Sequence, residues 1–156
     1  MTSTAIPVES LELEVQSAVL GTFRVPAAET ITFPSGLLGF PDHHRFALVS
    51  GGVDGLYWLQ SVDHAALAFL TIDPFAIAPN YSADITDADA RAVGALDAAD
   101  VALLAIVTLP RSPGDRPTAN LQGPLAVNFA TRLAKQVITA DTAHGTRWAF
   151  HFPIAA

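Results

Sequence analysis

Five histidines, His43, His44, His64, His144 and His151, are the residues best able to hold a metal or move a proton in this chain. Their spacing argues against a shared ion. His43 and His44 are adjacent, so in extended chain their side chains point to opposite faces. The other three stand apart, with none of the short ligand spacings that tetrahedral metal sites use. Asp42 and Asp63 each neighbour a histidine, which leaves a metal hydrolase as a weaker alternative. Histidines at the surface, beside turns, are what these spacings support.

Serine, histidine and aspartate are all present, yet no Gly-x-Ser-x-Gly elbow occurs, and residue types without geometry do not make a triad. There is no phosphate loop and no Gly-x-Gly-x-x-Gly. Gly51-Gly52-Val53-Asp54-Gly55 opens no helical pattern. The chain has no cysteine, which excludes disulfides, thiol catalysis, thiolate zinc sites and iron–sulfur clusters together. No carboxylate spacing singles out an acid–base pair. The chain therefore reads as a non-enzyme with no metal and no cofactor.

Charge suggests binding instead. Residues 1–100 carry thirteen acids against Arg24, Arg45 and Arg91, a balance of −10. Residues 101–156 carry Asp115 and Asp141 against Arg111, Arg116, Arg132, Lys135 and Arg147, a balance of +3. No dense basic stripe exists to neutralise phosphates, so direct nucleic-acid binding is not expected. Asp84, Asp87, Asp89, Asp97 and Asp100 have only Arg91 among them. They are either a solvated helix with its capping residues or a landing surface for a cationic protein, which would steer and orient it.

The elements that must position these groups are mostly strands. Residues 11–16 alternate apolar and polar, which puts Glu12 and Glu14 on a wet face. Short β-like pieces follow at residues 22–25 and 30–33. Residues 34–41, Pro-Ser-Gly-Leu-Leu-Gly-Phe-Pro, form an apolar turn with breakers at both ends. Residues 45–49, 56–60 and 67–72 read as strands, the last ended by Pro74. One helix is predicted over residues 87–96, with Thr86 as cap and Asp89 completing an approximate capping box. Residues 101–109 read as a fully buried strand, followed by an exposed Pro- and Arg-rich hairpin connection.

Residues 118–128, Thr-Ala-Asn-Leu-Gln-Gly-Pro-Leu-Ala-Val-Asn, read as a bent strand pair around Gly123-Pro124, because proline donates no ladder hydrogen bond. Gln60, Asn120, Gln122 and Asn128 are read as mainly structural, satisfying backbone near turns. Strands at residues 135–140 and 147–152 finish the domain. The fold class expected is mainly β: a single-domain antiparallel barrel or sandwich of about ten short strands with one short helix. Residues 1–10 are expected to be a flexible extension and residues 11–153 one domain. No signal-like segment starts the chain. Its longest apolar run, residues 101–107, falls far short of the roughly 20 a membrane helix needs. A cytoplasmic protein is expected.

Several motifs, in order, resemble those of the FliW family of flagellar assembly factors. Ile31-Thr-Phe-Pro-Ser-Gly-Leu-Leu-Gly-Phe40 followed by Arg45-Phe46 is similar to its Phe-Pro-x-Gly-Leu-x-Gly-Phe segment. Leu59-Gln60-Ser61-Val62-Asp63, Ala68-Phe69 and Asp73-Pro74 resemble its next block. Pro79-Asn80-Tyr81, residues 101–110, residues 118–128 and Gln136-Val137-Ile138 resemble the rest. Leu38 stands where the family often has proline, Pro41 where it has an acid, and the tail from Thr142 onward is atypical.

The resemblance implies a non-enzymatic cytoplasmic regulator that binds flagellin and also CsrA, a small basic RNA-binding translational repressor. Each partner then lowers the other's affinity by the same factor. Under this reading Asp84, Asp87 and Asp89 dock the basic partner, with Tyr81 as a nearby aromatic anchor. A small barrel holding a ligand such as a flavin or lipid, or a flagellin chaperone without a translational role, are the alternatives.

Overall fold

The structure, a computed structural model, describes residues 11–139 and 143–153. The expected extension at residues 1–10 lies outside the described residues. The chain begins with a ribbon, β1 (Glu12–Ser17) and β2 (Gly21–Pro26), paired antiparallel from Glu12↔Pro26 to Ser17↔Gly21. The alternation of β1 works as its pattern requires: Glu12, Glu14 and Gln16 are exposed while Val15 and Ser17 are buried. There follow β3 (Ile31–Thr32), β4 (Arg45–Ser50), β5 (Leu56–Ser61), β6 (Ala68–Ile72), α1 (Pro74–Ile77), α2 (Asp87–Ala92), β7 (Ala102–Thr108), β8 (Thr118–Ala119), β9 (Leu125–Asn128), β10 (Leu133–Gln136) and β11 (Trp148–Ala149).

Strands β3 to β7 form an antiparallel meander, and β9 and β10 close it into a barrel of seven strands among the described residues. One side of the closure is antiparallel, β9 on β7 from Ala102↔Val127 to Leu104↔Leu125. The other is the parallel pair β10–β3, at Leu133↔Thr32, within an otherwise antiparallel fold. β8 and β11 add a short flap along the C-terminal end of β7.

Strands β5, β6 and β7 bury both faces, which explains the unbroken apolar run in β7. Leu59, Phe69, Leu104 and Ile106 pack with Ile31, Phe33 and Phe46 on one face. Trp58, Leu70, Ile72, Leu103, Ala105 and Val107 pack with Tyr81, Leu121 and Phe150 on the other. A period of two with apolar residues on both phases is a strand covered from both sides.

Several expectations are corrected. Residues 118–128 are not a strand pair: β8 and β9 both run along β7, as two pieces of one interrupted line. Asn120 N–H still bonds Ile106 O at 2.9 Å, then Asn120 Oδ1 accepts from the N–H groups of Gln122 and Gly123. That local turn lifts the chain off β7 until Leu125. There are two α-helices among the described residues, not one. Pro74, read as a strand terminator, opens α1, where its missing N–H costs nothing and Asp73 caps Phe75 N–H at 3.0 Å. α2 is shorter than predicted and stops before Gly94, which takes φ +73. The last two strands are also shorter, β10 ending at Gln136 and β11 spanning two residues.

Candidate functional site

The acidic segment is organised by the start of α2. Thr86 Oγ1 accepts from Asp89 N–H at 3.0 Å, the capping bond its type and position predict. Asp87 and Asp89 thus sit on the first turn, where the helix dipole favours carboxylates. From there the two diverge. Asp87 is exposed, whereas Asp89 Oδ1 accepts a 2.6 Å bond from Lys135 Nζ on β10, and its side chain is only 16% exposed. Asp89 is tied to the barrel and not free to dock a partner.

Tyr81 is likewise displaced from the role expected of it. It is 4% exposed, and its hydroxyl donates to Leu121 O at 2.6 Å. A phenol that fills the core and satisfies a buried carbonyl has no face left for a partner. Its ring instead supports Phe75, with centroids 5.9 Å apart, and Phe75 is 49% exposed. The structure therefore brings Asp84 and Asp87 to the surface and withdraws Tyr81 and Asp89.

Sequence reasoning missed what lies beside them. Phe75, Ile85, Val101 and Leu103 line an open groove of about 490 Å³, walled by alanines 83, 98, 99 and 102 and by Asp73. Asp84 lies between two lining residues, Ala83 and Ile85, and Asp100 between Ala99 and Val101. Asp97 immediately precedes the lining Ala98, and its carboxylate caps the Ala99 N–H at 3.1 Å. Asp84, Asp97 and Asp100 are all exposed, and none makes an ion pair among the described residues. The sequence held only a partial signal for the aromatic: Phe75 directly follows Asp73-Pro74, a pair able to cap and open a short helix.

The amides behave as structural groups. Gln60 is fully buried, and its Nε2 lies within 3.1–3.3 Å of four carbonyl oxygens, those of Ser61, His64, Ala65 and Leu67. Asn128 Nδ2 donates to Val93 O at 3.0 Å, and Thr131 Oγ1 donates to the same oxygen at 2.7 Å. A carbonyl left over at the end of α2 is thereby satisfied by the β9–β10 turn. His44 is exposed, and its Nδ1 lies 2.9 Å from Phe33 O. His43 instead meets His64, with ring centroids 4.4 Å apart. Among the described residues no three metal-ligating side chains converge, and no helix is long and apolar enough to cross a membrane.

Comparison with known proteins agrees with this architecture. A family model described as FliW protein matches residues 14–150. The flagellar assembly factor FliW of Treponema pallidum (strain Nichols) is 41% identical over 144 residues, covering 92% of this chain and 93% of the relative. That of Magnetococcus marinus is 35% identical, covering 83% and 80%. A crystal structure of the flagellar assembly factor FliW superposes with a TM-score of 0.79 at 31% identity, covering 90% of this chain and 99% of that one. With a matching family model, a matching fold and near-complete mutual coverage, the chain belongs to the FliW family of flagellar assembly factors.

Proposed function

We propose that this protein acts in the cytoplasm as a partner switch without catalysis, binding flagellin and a basic CsrA-type translational repressor by protein contact. The observation that carries the repressor arm is the acid-rimmed groove. Asp84, Asp97 and Asp100 each adjoin in sequence a residue that lines the apolar trough presenting Phe75; all three are exposed, and none makes an ion pair among the described residues. An aromatic anchor surrounded by like charges suits a basic protein surface: the carboxylates raise the encounter rate and the ring supplies contact area. Phe75 thus takes the role first assigned to Tyr81, while Asp84 and Asp87 keep theirs. Occupation by flagellin then lowers affinity for the repressor, and the reverse holds equally.

Calorimetric titration with each partner alone, then with one in the presence of the other, tests the switch. Binding of both with mutual weakening is expected. The variant Asp84→Lys/Asp87→Lys should slow association with the repressor by roughly tenfold and flatten its salt dependence. Unchanged association would show that the repressor docks elsewhere. Flagellin binding without repressor binding would leave an assembly chaperone with no translational arm.

A further inference from the structure

A second groove, of opposite charge, is lined by residues that the acidic face does not use. It is an open trough of about 1050 Å³. Its apolar part is Leu38, Ile106 and Leu109, of which Leu38 is 64% and Leu109 49% exposed. Its cationic part is Arg111, Arg116 and Arg147, all three exposed. None of these guanidinium groups is in an ion pair among the described residues, although Asp115 lies on the same wall. On a chain of net charge −7, three arginines beside exposed aliphatic side chains are a local reversal of the surface field.

The apolar lip is held in place before any partner arrives. Leu38 N–H donates to Gln136 Oε1 at 2.9 Å, and Gln136 Nε2 donates to Gly123 O at 2.9 Å. Leu37, the next residue back, is buried and closes a two-way backbone pair with Phe40. Leu38 is therefore presented to water by a turn whose two ends are tied down, and little ordering is left for binding to accomplish.

We propose that this groove docks an acidic amphipathic segment of a protein partner. The segment's apolar side chains pack on Leu38, Ile106 and Leu109, and its carboxylates meet Arg111, Arg116 and Arg147. Arginine forks match carboxylates in pairs of parallel hydrogen bonds, which fixes the register of such a segment. A nucleic acid suits the site less well. Its apolar part is aliphatic, and the lining ring of Phe69 is half-buried and packed edge-on by Phe40 at 5.3 Å, so no open aromatic platform awaits a base. The inference stands independently of the acidic groove and of the partner assigned to it.

The test uses the ¹⁵N-labelled full chain titrated with three probes and followed through its amide resonances. The probes are a Leu/Glu peptide of helical period and roughly five turns, its Leu/Lys counterpart, and oligouridylate. The Leu/Glu peptide should shift the amides of Leu38, Ile106, Arg111, Arg116 and Arg147. Its affinity should fall roughly tenfold or more in Arg111→Glu/Arg116→Glu, a variant whose remaining spectrum reports an intact fold. The proposal is overturned if the Leu/Glu peptide leaves those amides unmoved or binds the variant equally well. It is also overturned if the Leu/Lys peptide or oligouridylate takes the groove as tightly.

Discussion

Gln136 accepts from the Leu38 N–H at 2.9 Å across 98 residues of sequence, and with its other atom donates to Gly123 O. One side chain on β10 thus fastens the glycine-bracketed turn to the bend that separates β8 from β9. Gln136→Ala removes a donor and an acceptor at once and should cost about 1–3 kcal/mol in urea denaturation. The loss should be accompanied by line broadening at the Leu38 amide, because the turn loses its tether. A variant as stable as the parent would show that water replaces both bonds without loss.

The Asp89–Lys135 pair sets Asp89, which is tied to the barrel, apart from Asp87, which stays exposed. Asp87→Lys, at an exposed position on the first turn, should lower thermal stability less than Asp89→Lys, losing only its favourable place at the helix N-terminus. Asp89→Lys should lower the melting temperature by roughly 2–6 °C, because it sets two ammonium groups against each other at a mostly buried site. A double-mutant cycle on Asp89→Asn and Lys135→Met should return a coupling near 1 kcal/mol. Coupling near zero would make the 2.6 Å contact incidental.

Gly36 and Gly39 both have positive φ, at 67° and 83°, yet they should respond differently to alanine. A Cβ on Gly36 would stand 2.5 Å from Phe40 O and 2.6 Å from Pro41 O, backbone atoms that cannot rotate away. A Cβ on Gly39 meets nothing within 4 Å. Gly39→Ala should cost about 1–2 kcal/mol, the strain of the left-handed conformation alone. Gly36→Ala should cost about 3 kcal/mol or more, since the clash adds to the strain. Equal losses in chemical denaturation would mean that the turn can shift to admit a methyl group.

Tyr81 and Phe75 touch, but one is support and the other is surface. Tyr81→Phe keeps the ring and strands the Leu121 carbonyl, so stability should fall by about 1–2 kcal/mol. Phe75→Ala should change stability by less than about 1 kcal/mol, and it should weaken repressor binding roughly tenfold or more if the ring is the anchor. The two variants, compared by melting and by titration, exchange their phenotypes if the assignment is reversed.

Local signals in the chain were legible and long-range ones were not. Alternation in β1, the Thr86 cap of α2 and the Pro-rich connection after β7 all follow from neighbours in sequence, and each stands where its residues place it. The face that Tyr81 presents depends on Leu121, 40 residues away, and the fate of Asp89 depends on Lys135, 46 residues away. No pattern within either segment encodes those partners. Asp73-Pro74 was ambiguous for a different reason: the same proline ends a strand and begins a helix, and only the capping bond to Phe75 decides between them. The cationic groove drew on residues 38, 106 to 116 and 147, so its charge could be counted from the sequence but not gathered.

The parallel seam between β3 and β10 bears on how the molecule comes into being. Thr32 N–H bonds Arg132 O at 2.9 Å, and Thr32 pairs with Leu133. During synthesis the meander from β3 to β7 can form as it emerges, since each strand pairs with the one before it. The ring cannot shut until residues 125–136 have left the ribosome. Until then the nascent sheet carries two open edges, β3 and β7, of the kind that recruit stray strands. Contacts of such sequence separation also slow closure itself. A member of a family of flagellar assembly factors is thus, in its own maturation, exposed to mispairing until its final third arrives.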